Sequence, residues 1–233
     1  MDSSRRKTVL ALLALPAGCA FQPLRTLRTE PLGRPARLPP LRSPALGHSW
    51  TYQKFNGYNS QLLATEREEV VALEPRIVLR RTAGPQQTLP EEQHLQWGQV
   101  LRDPTWDFVQ NYESPLPIWP PSLAVGTTNA ISTHYRLDNF SFRFWIHVQT
   151  TVKAWEKIYL PHGQFDALRI EKFIRLQHYD ISRINSIRKE IVWLVPEIGR
   201  WAAREVWGEY LIIGDRSYQG REDHVRWELT AWT

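Results

Sequence analysis

Seven histidines, one cysteine and eleven tryptophans are the residues of this chain with the most chemistry to offer. No two histidines have the H-x-H or H-E-x-x-H spacing that lets imidazoles share a metal ion. His134 and His147 fall in neighbouring extended segments, so a two-histidine site would have to form across strands. Two ordinary imidazoles, satisfied or facing solvent, need no such coincidence. No G-x-S-x-G elbow or S-x-x-K pair marks a serine nucleophile, and no glycine-rich phosphate loop is present. A Ser–His–Asp set could be drawn only from scattered residues, with nothing to select one. Glu156 and Asp166 lie near one turn and are the closest approach to a paired-carboxylate site. Just after a turn, however, aspartate ordinarily bonds its own backbone. No catalytic residue, cofactor or metal is expected, and the chain reads as a non-enzyme.

The aromatic residues carry more. Trp145, Trp155 and Tyr159 share the polar parity of a long alternating segment, mixed with Arg143, Lys153 and Lys157. Rings with a polar handle on a sheet face stack on sugars or line an apolar cavity. If that face is covered by a second layer, the same rings are core. These three are the candidate ligand-facing residues.

The elements that would position them are strands. Between residues 140 and 160, Phe140, Phe142, Phe144, Ile146, Val148, Val152, Ala154, Ile158 and Leu160 fall on one parity and mostly polar residues on the other. Alternate side chains of a strand face opposite sides, so this is a sheet with one buried and one wet face. The run exceeds an ordinary strand, which predicts a bulge or bend near Thr150. After Pro161-His162-Gly163 a second alternating run begins, with Leu168, Ile170, Ile174 and Leu176 on one side, and the two make an antiparallel hairpin. Further strands are expected over 49–55, 62–72, 76–82, 93–102, 105–111, 130–137, 188–195, 201–213 and 224–231. Turns are expected at Asn56-Gly57, Gly84-Pro85 and Gly220. No window shows a capped helical stripe. The fold class is all-β: an antiparallel sandwich or half-open barrel of about ten strands.

The N-terminus predicts export. Arg5-Arg6-Lys7 precedes an apolar run from Thr8 to Leu15 and the small residues Ala17-Gly18-Cys19-Ala20, the three parts of a secretory signal. The run is about half the ~20 residues needed to span hydrocarbon. Cys19 is the only cysteine, and Ala17-Gly18-Cys19 resembles the lipobox of bacterial lipoproteins, whose cysteine is acylated. Pro16 departs from that motif, and ordinary cleavage to a soluble periplasmic protein is the alternative. Ala20 lacks the aspartate of an inner-membrane retention signal, which places the expected protein on the periplasmic side of the bacterial outer membrane. Residues 1–19 thus read as the signal and 48–233 as one β-rich domain. Residues 20–47, with Pro23, Pro31, Pro35, Pro39, Pro40 and Pro44, read as an extended Pro/Arg-rich tether.

The chain's net charge of +5 does not belong to the domain. The first 47 residues carry eight Lys/Arg and two acids, leaving 21 bases against 22 acids in residues 48–233. A phosphate-backbone surface needs its positive charge on the folded part, so no nucleic-acid partner is expected.

Three segments resemble a bacterial envelope family, the domain-of-unknown-function group numbered 3108. They are the hairpin from Tyr159 to Ile170 (YLPHGQFDALRI), the segment from Trp193 to Arg200 (WLVPEIGR), and the stretch from Pro117 to Gly126 (PIWPPSLAVG). Trp50 and Tyr52 also fit, and His162 stands where the family has alanine. The resemblance implies an exported antiparallel β-domain, often lipid-anchored, with a curved sheet of lipocalin-like or lipoprotein-carrier-like shape, no established enzymatic activity and no catalytic residues to carry over. The expected function is that of a non-enzymatic envelope lipoprotein, held to the membrane by its N-terminal lipid, whose domain binds a hydrophobic or amphipathic ligand or a partner protein. A structural or assembly role is the alternative, and hydrolysis of envelope glycans or lipids ranks behind both. The interior decides between the first two: an open cavity of several hundred Å3 lined by aromatic rings favours ligand binding, a filled one favours assembly.

Overall fold

The computed structural model describes residues 26–85, 87–214 and 218–233. Cys19, on which the lipid anchor would sit, lies outside them. Fourteen strands follow one another: β1 (Arg28–Leu32), β2 (Ser49–Asn56), β3 (Leu62–Ala72), β4 (Ile77–Ala83), β5 (Gln87–Gln96), β6 (Gln99–Asp103), β7 (Gln110–Pro117), β8 (Thr128–Leu137), β9 (Phe144–Leu160), β10 (Gly163–Leu176), β11 (Arg183–Val195), β12 (Arg200–Ile212), β13 (Tyr218–Arg221) and β14 (Val225–Trp232). A single 3₁₀ turn, Pro196–Ile198, separates β11 from β12. The pairing order runs β9-β10-β11-β12-β14-β2-β3-β4-β5-β6-β7-β8 and returns to β9, so twelve antiparallel strands close into a barrel. The all-β expectation holds. The sandwich and the half-open barrel give way to full closure, and the strand count exceeds ten.

The differences have local causes. The segment expected as one strand over 93–102 is a hairpin, because Gly98, with φ of 83°, turns the chain between β5 and β6. The segment expected over 105–111 is mostly loop, and β7 starts at its end. Gly220 sits inside the short β13 rather than in a turn. The Pro/Arg-rich stretch is only in part a tether. Residues 28–32 pair with Tyr159 to Trp155 of β9, an edge position where the missing N–H of Pro31 costs nothing. Beyond it, Leu38 and Leu41 pack against the core, and the Arg42 N–H donates to the Pro196 carbonyl at 2.9 Å.

The hairpin of β9 and β10 is the backbone of the barrel. Its register slips once, so that Val152 faces Ile170 while Ala154 faces Arg169, leaving Lys153 as the extra residue. This is the bulge expected near Thr150, a few residues later. One inserted residue exchanges inside for outside in all that follows. Trp145, before it, stands on the outer surface, while Trp155, after it, points inward against Leu168 and Leu194 and is buried. Two short strands share one edge of β9 in series, β8 along Phe144–Thr151 and β1 along Trp155–Tyr159. β14 and β13 divide an edge of β12 in the same way.

The turn into β12 has little tolerance. Gly199 adopts φ of 69°, the left-handed region where only glycine is free of strain, and its Cα lies against the Arg42 carbonyl, where a methyl group would collide with backbone. Gly199→Ala is expected to cost about 1–3 kcal/mol, measured by urea unfolding. A midpoint equal to that of the parent would show that the 33–47 segment does not hold this turn.

Candidate functional site

A twelve-stranded barrel has room for a ligand, and here the room is filled. Ile146, Val148, Ile170, Ile174 and Leu194 cover one wall, Tyr52, Val70 and Leu79 the facing one. Between them lies a network of buried charges. Arg200 on β12 donates from Nε to Glu68 on β3 at 2.7 Å and from Nη2 to both oxygens of Glu92 on β5 at 3.1 Å. These strands are not neighbours in the sheet, so the contacts cross the lumen. Trp50, Trp97 and Trp201 surround the same guanidinium, their ring centroids 5.4–5.6 Å from its Cζ. Arg81 pairs with Glu66 at 3.0 Å, and Trp227 donates its indole N–H to Glu66 at 3.1 Å. A second cluster joins Lys172 and Arg204 to Glu190, at 3.0 and 3.1 Å. Among the described residues one cavity between Glu92, Asp103, Glu190 and Arg204 holds about 30 Å3, and another beside Tyr135, Leu176 and Arg188 about 20 Å3, each space for a water or two.

Burial alone would neutralise these carboxyls. For Glu190 burial pushes the pKa up, and the adjacent Arg204 and Lys172 outweigh it and hold the group at about 2. Glu92 is likewise opposed by burial, and the charge of Arg200 together with the His94 ring nitrogen, 2.6 Å away, holds it below the ordinary carboxylate range. Glu68 shares Arg200 but has no such imidazole, and burial raises it. Arg200 itself is held above its usual value by Glu68 and Glu92, against the effect of burial. Each of these carboxylates is engaged by a cation, while Arg200 Nη1 is buried without a hydrogen-bond partner.

The candidate residues from the sequence do not assemble. Trp145 is exposed beside His134. Trp155 is core. Tyr159 is covered by β1, its hydroxyl donating to Glu30 at 2.7 Å with Arg28 stacked 4.3 Å from its ring centroid. His134 and His147 do share the outer face of β8 and β9, but His147 bonds the Ser132 hydroxyl at 2.8 Å and His134 lies 3.8 Å from Glu113. Among the described residues no group of three or more His, Cys, Asp or Glu could hold a metal ion. Glu156 accepts from Arg169 and from the Trp193 indole, both at 2.9 Å. Asp166 stands opposite Lys157, on the other side of the hairpin, so the two acids do not face each other.

A surface that sequence reading did not find lies on the outside of β9 to β12. In register across these strands stand Gln149, Phe173, Lys189 and Trp207. The next row toward one end holds His147, Arg175, Ile187 and Glu209. Two shallow grooves meet at Phe173. One, of about 510 Å3, runs past Lys153, Glu171, Ile191 and Trp207. The other, of about 580 Å3, runs past Arg175, Ile187, Tyr210 and Leu211. Among the described residues no carboxylate lies within ion-pair distance of Lys189 or Arg175. The signal available in sequence was weak, an aromatic or aliphatic residue on the wet parity of three separate strands.

Comparison with known proteins adds fold likeness. No family model matches the chain, and no curated protein matches it in sequence. Among solved structures, a protein of Parabacteroides distasonis ATCC 8503 described as a candidate lipoprotein shares the fold with a TM-score of 0.50 at 13% identity, over 83% of this chain and 97% of that one. A candidate exported protein with a YmcC-like fold from Bacteroides fragilis NCTC 9343 aligns with a TM-score of 0.50 at 12% identity, over 84% of this chain and all of its own. At such identities the likeness is one of architecture: the chain has the fold of these two bacterial proteins.

Proposed function

We propose that this chain is a non-enzymatic, lipid-anchored protein of the bacterial outer membrane that serves in assembly, holding a partner protein on the outer face of β9 to β12. The single observation that carries the reading is the filled lumen. The cavities between the walls among the described residues hold about 30 and 20 Å3, whereas an acyl chain needs several hundred Å3. The signal-like N-terminus, the resemblance at the β9–β10 turn, and the description of one structural neighbour as a lipoprotein and of the other as an exported protein support the location.

The groove has the composition of a protein-binding patch, aromatic and aliphatic anchors among charges of both signs. The twelve strands of the closed barrel leave free edges only on the short β1 and β13 among the described residues, so on the outer face of β9 to β12 the partner is gripped by side chains. Lys189, flanked by Phe173 and Trp207 with no carboxylate of its own, selects an acidic segment that also carries apolar residues.

Photo-crosslinking in cells tests this. A photoreactive residue at position 173 or 207 is expected to give one discrete adduct, lost when Lys189→Glu is added. A probe at position 80, on the outside of β4, gives none. No adduct from the groove, or the same adduct from position 80, overturns the proposal. Co-purified lipid in native mass spectra of the mature chain would restore the carrier.

A further inference from the structure

The two poles of the barrel differ. In an antiparallel meander alternate connections lie at the same end. The connections after β2, β6, β8, β10 and β12 share one pole, while the start of β1 and the end of β14 lie at the other. The first pole exposes Tyr58, Phe108, Phe140, Phe142, Ile181 and Ile213 at its loops, with Ile181 90% and Phe142 72% exposed. The second pole exposes no aromatic side chain among the described residues, only isolated aliphatic ones such as Leu46 and Val125.

The exposed tips stand on a built platform. Phe108 packs on Tyr179 with ring centroids 4.7 Å apart, and Phe140 packs on Tyr179 at 5.6 Å and Phe108 at 6.4 Å. Three loops from different parts of the chain are thereby joined, and Phe142 and Ile181 project from them. Arginines rim the tips. Arg143 and Arg136 share a single carboxylate, Glu113, at 3.6 and 3.3 Å, and Arg136 also donates to the Ser141 carbonyl of the Phe142 loop at 3.0 Å. Of the acids nearby, Asp138 is taken up by Arg102 at 2.7 Å and Asp180 lies 3.6 Å from Arg183, while Asp107, beside Phe108, is exposed.

We infer that this pole docks on a lipid surface carrying anionic headgroups, with Phe142 and Ile181 entering the acyl boundary and Arg136 and Arg143 meeting phosphates. A protein partner calls for a continuous face that buries its whole patch. Single apolar tips on separate loops, with cations just behind them, match a bilayer interface, where apolar insertion and headgroup attraction add. The site is independent of the β9–β12 groove, which lies on the side of the barrel.

A shortened chain of residues 20–233, without Cys19 and its lipid, keeps every described strand, so vesicle flotation reads the pole alone. Binding is expected to vesicles of phosphatidylcholine with phosphatidylglycerol, weaker to phosphatidylcholine alone, and diminished by added salt. The double variant Phe142→Ser, Ile181→Ser is expected to reduce partitioning about tenfold or more. Arg136→Gln with Arg143→Gln is expected to remove the preference for the anionic lipid while the melting temperature stays that of the parent. No flotation on either lipid, or flotation unchanged by the two serines, overturns the inference. So does a parent dimer in sedimentation that the two serines dissociate, since the tips would then cover a second copy. Adducts from the groove are unaffected by any of these results.

Discussion

Arg200→Met is expected to destabilise the protein by about 3–5 kcal/mol, because it leaves Glu68 and Glu92 buried and charged with their main partner gone. For a domain of this size that is a fall in melting temperature of roughly 6–20 °C. The side chain is fully enclosed, and methionine fits among the three indoles without a steric cost, so the loss is electrostatic. The triple variant Arg200→Met, Glu68→Leu, Glu92→Leu is expected to recover most of it, since well-packed apolar residues often match a buried ion network in stability. Differential scanning calorimetry of the parent, the single and the triple variant separates the two effects. A single variant melting within about 3 °C of the parent would show that the lumen charges are not supporting the barrel. A triple variant no better than the single would show that the packing around Arg200, not its charge, was lost.

Acid is expected to produce the second large effect. A carboxylate held low in the folded state adds stability that is complete above its unfolded pKa and disappears as pH falls through the folded value. For Glu190 the window runs from about 4.3 in the unfolded chain to about 2 in the fold, worth up to about 3 kcal/mol. Glu92, also held low, acts in the same direction. Glu68, raised by burial, opposes them, because its protonation in the fold relieves a cost. His178, lowered by burial and by Arg183, takes its proton more readily when unfolded and adds an earlier loss below about 6.5. Urea midpoints are therefore expected to be flat above about pH 7, to decline gently below about pH 6.5 and to fall steeply between about pH 5 and pH 2. Glu190→Gln is expected to lie lower at neutral pH and to show a shallower acid slope. A parent curve that stays level down to about pH 2.5, or a variant with the full slope, would contradict the assignment.

Alternation was enough to read the β9–β10 hairpin and most of the strands after it. Its rule that charge lies outside fails at Lys172, which occupies the buried parity between Ile170 and Ile174, and at Glu190, which precedes Val192 by two. Lys172 is satisfied by Glu190, Glu190 by Lys172 and Arg204, and Arg200 finds Glu68 132 residues away. No spacing along the chain announces such a pairing. The candidate aromatics divided for a related reason: a single bulge at Lys153 separates Trp145, outside as expected, from Trp155. Prolines hid β1, because composition reports what a segment cannot do in isolation and not which edge of β9 stands ready to receive it. Phe173, Lys189 and Trp207 escaped because each is ordinary on its own strand.

The seam between β2 and β14 has a consequence for how the molecule is delivered. It joins Trp50 to Trp232 and Asn56 to Val225, so the cylinder cannot shut until its last residues have arrived. A chain released from its N-terminus onward therefore stays unsealed until β14 is available, with two bare sheet borders that invite mispairing. Under the export proposed above, sealing would wait until translocation had delivered residues 225–232.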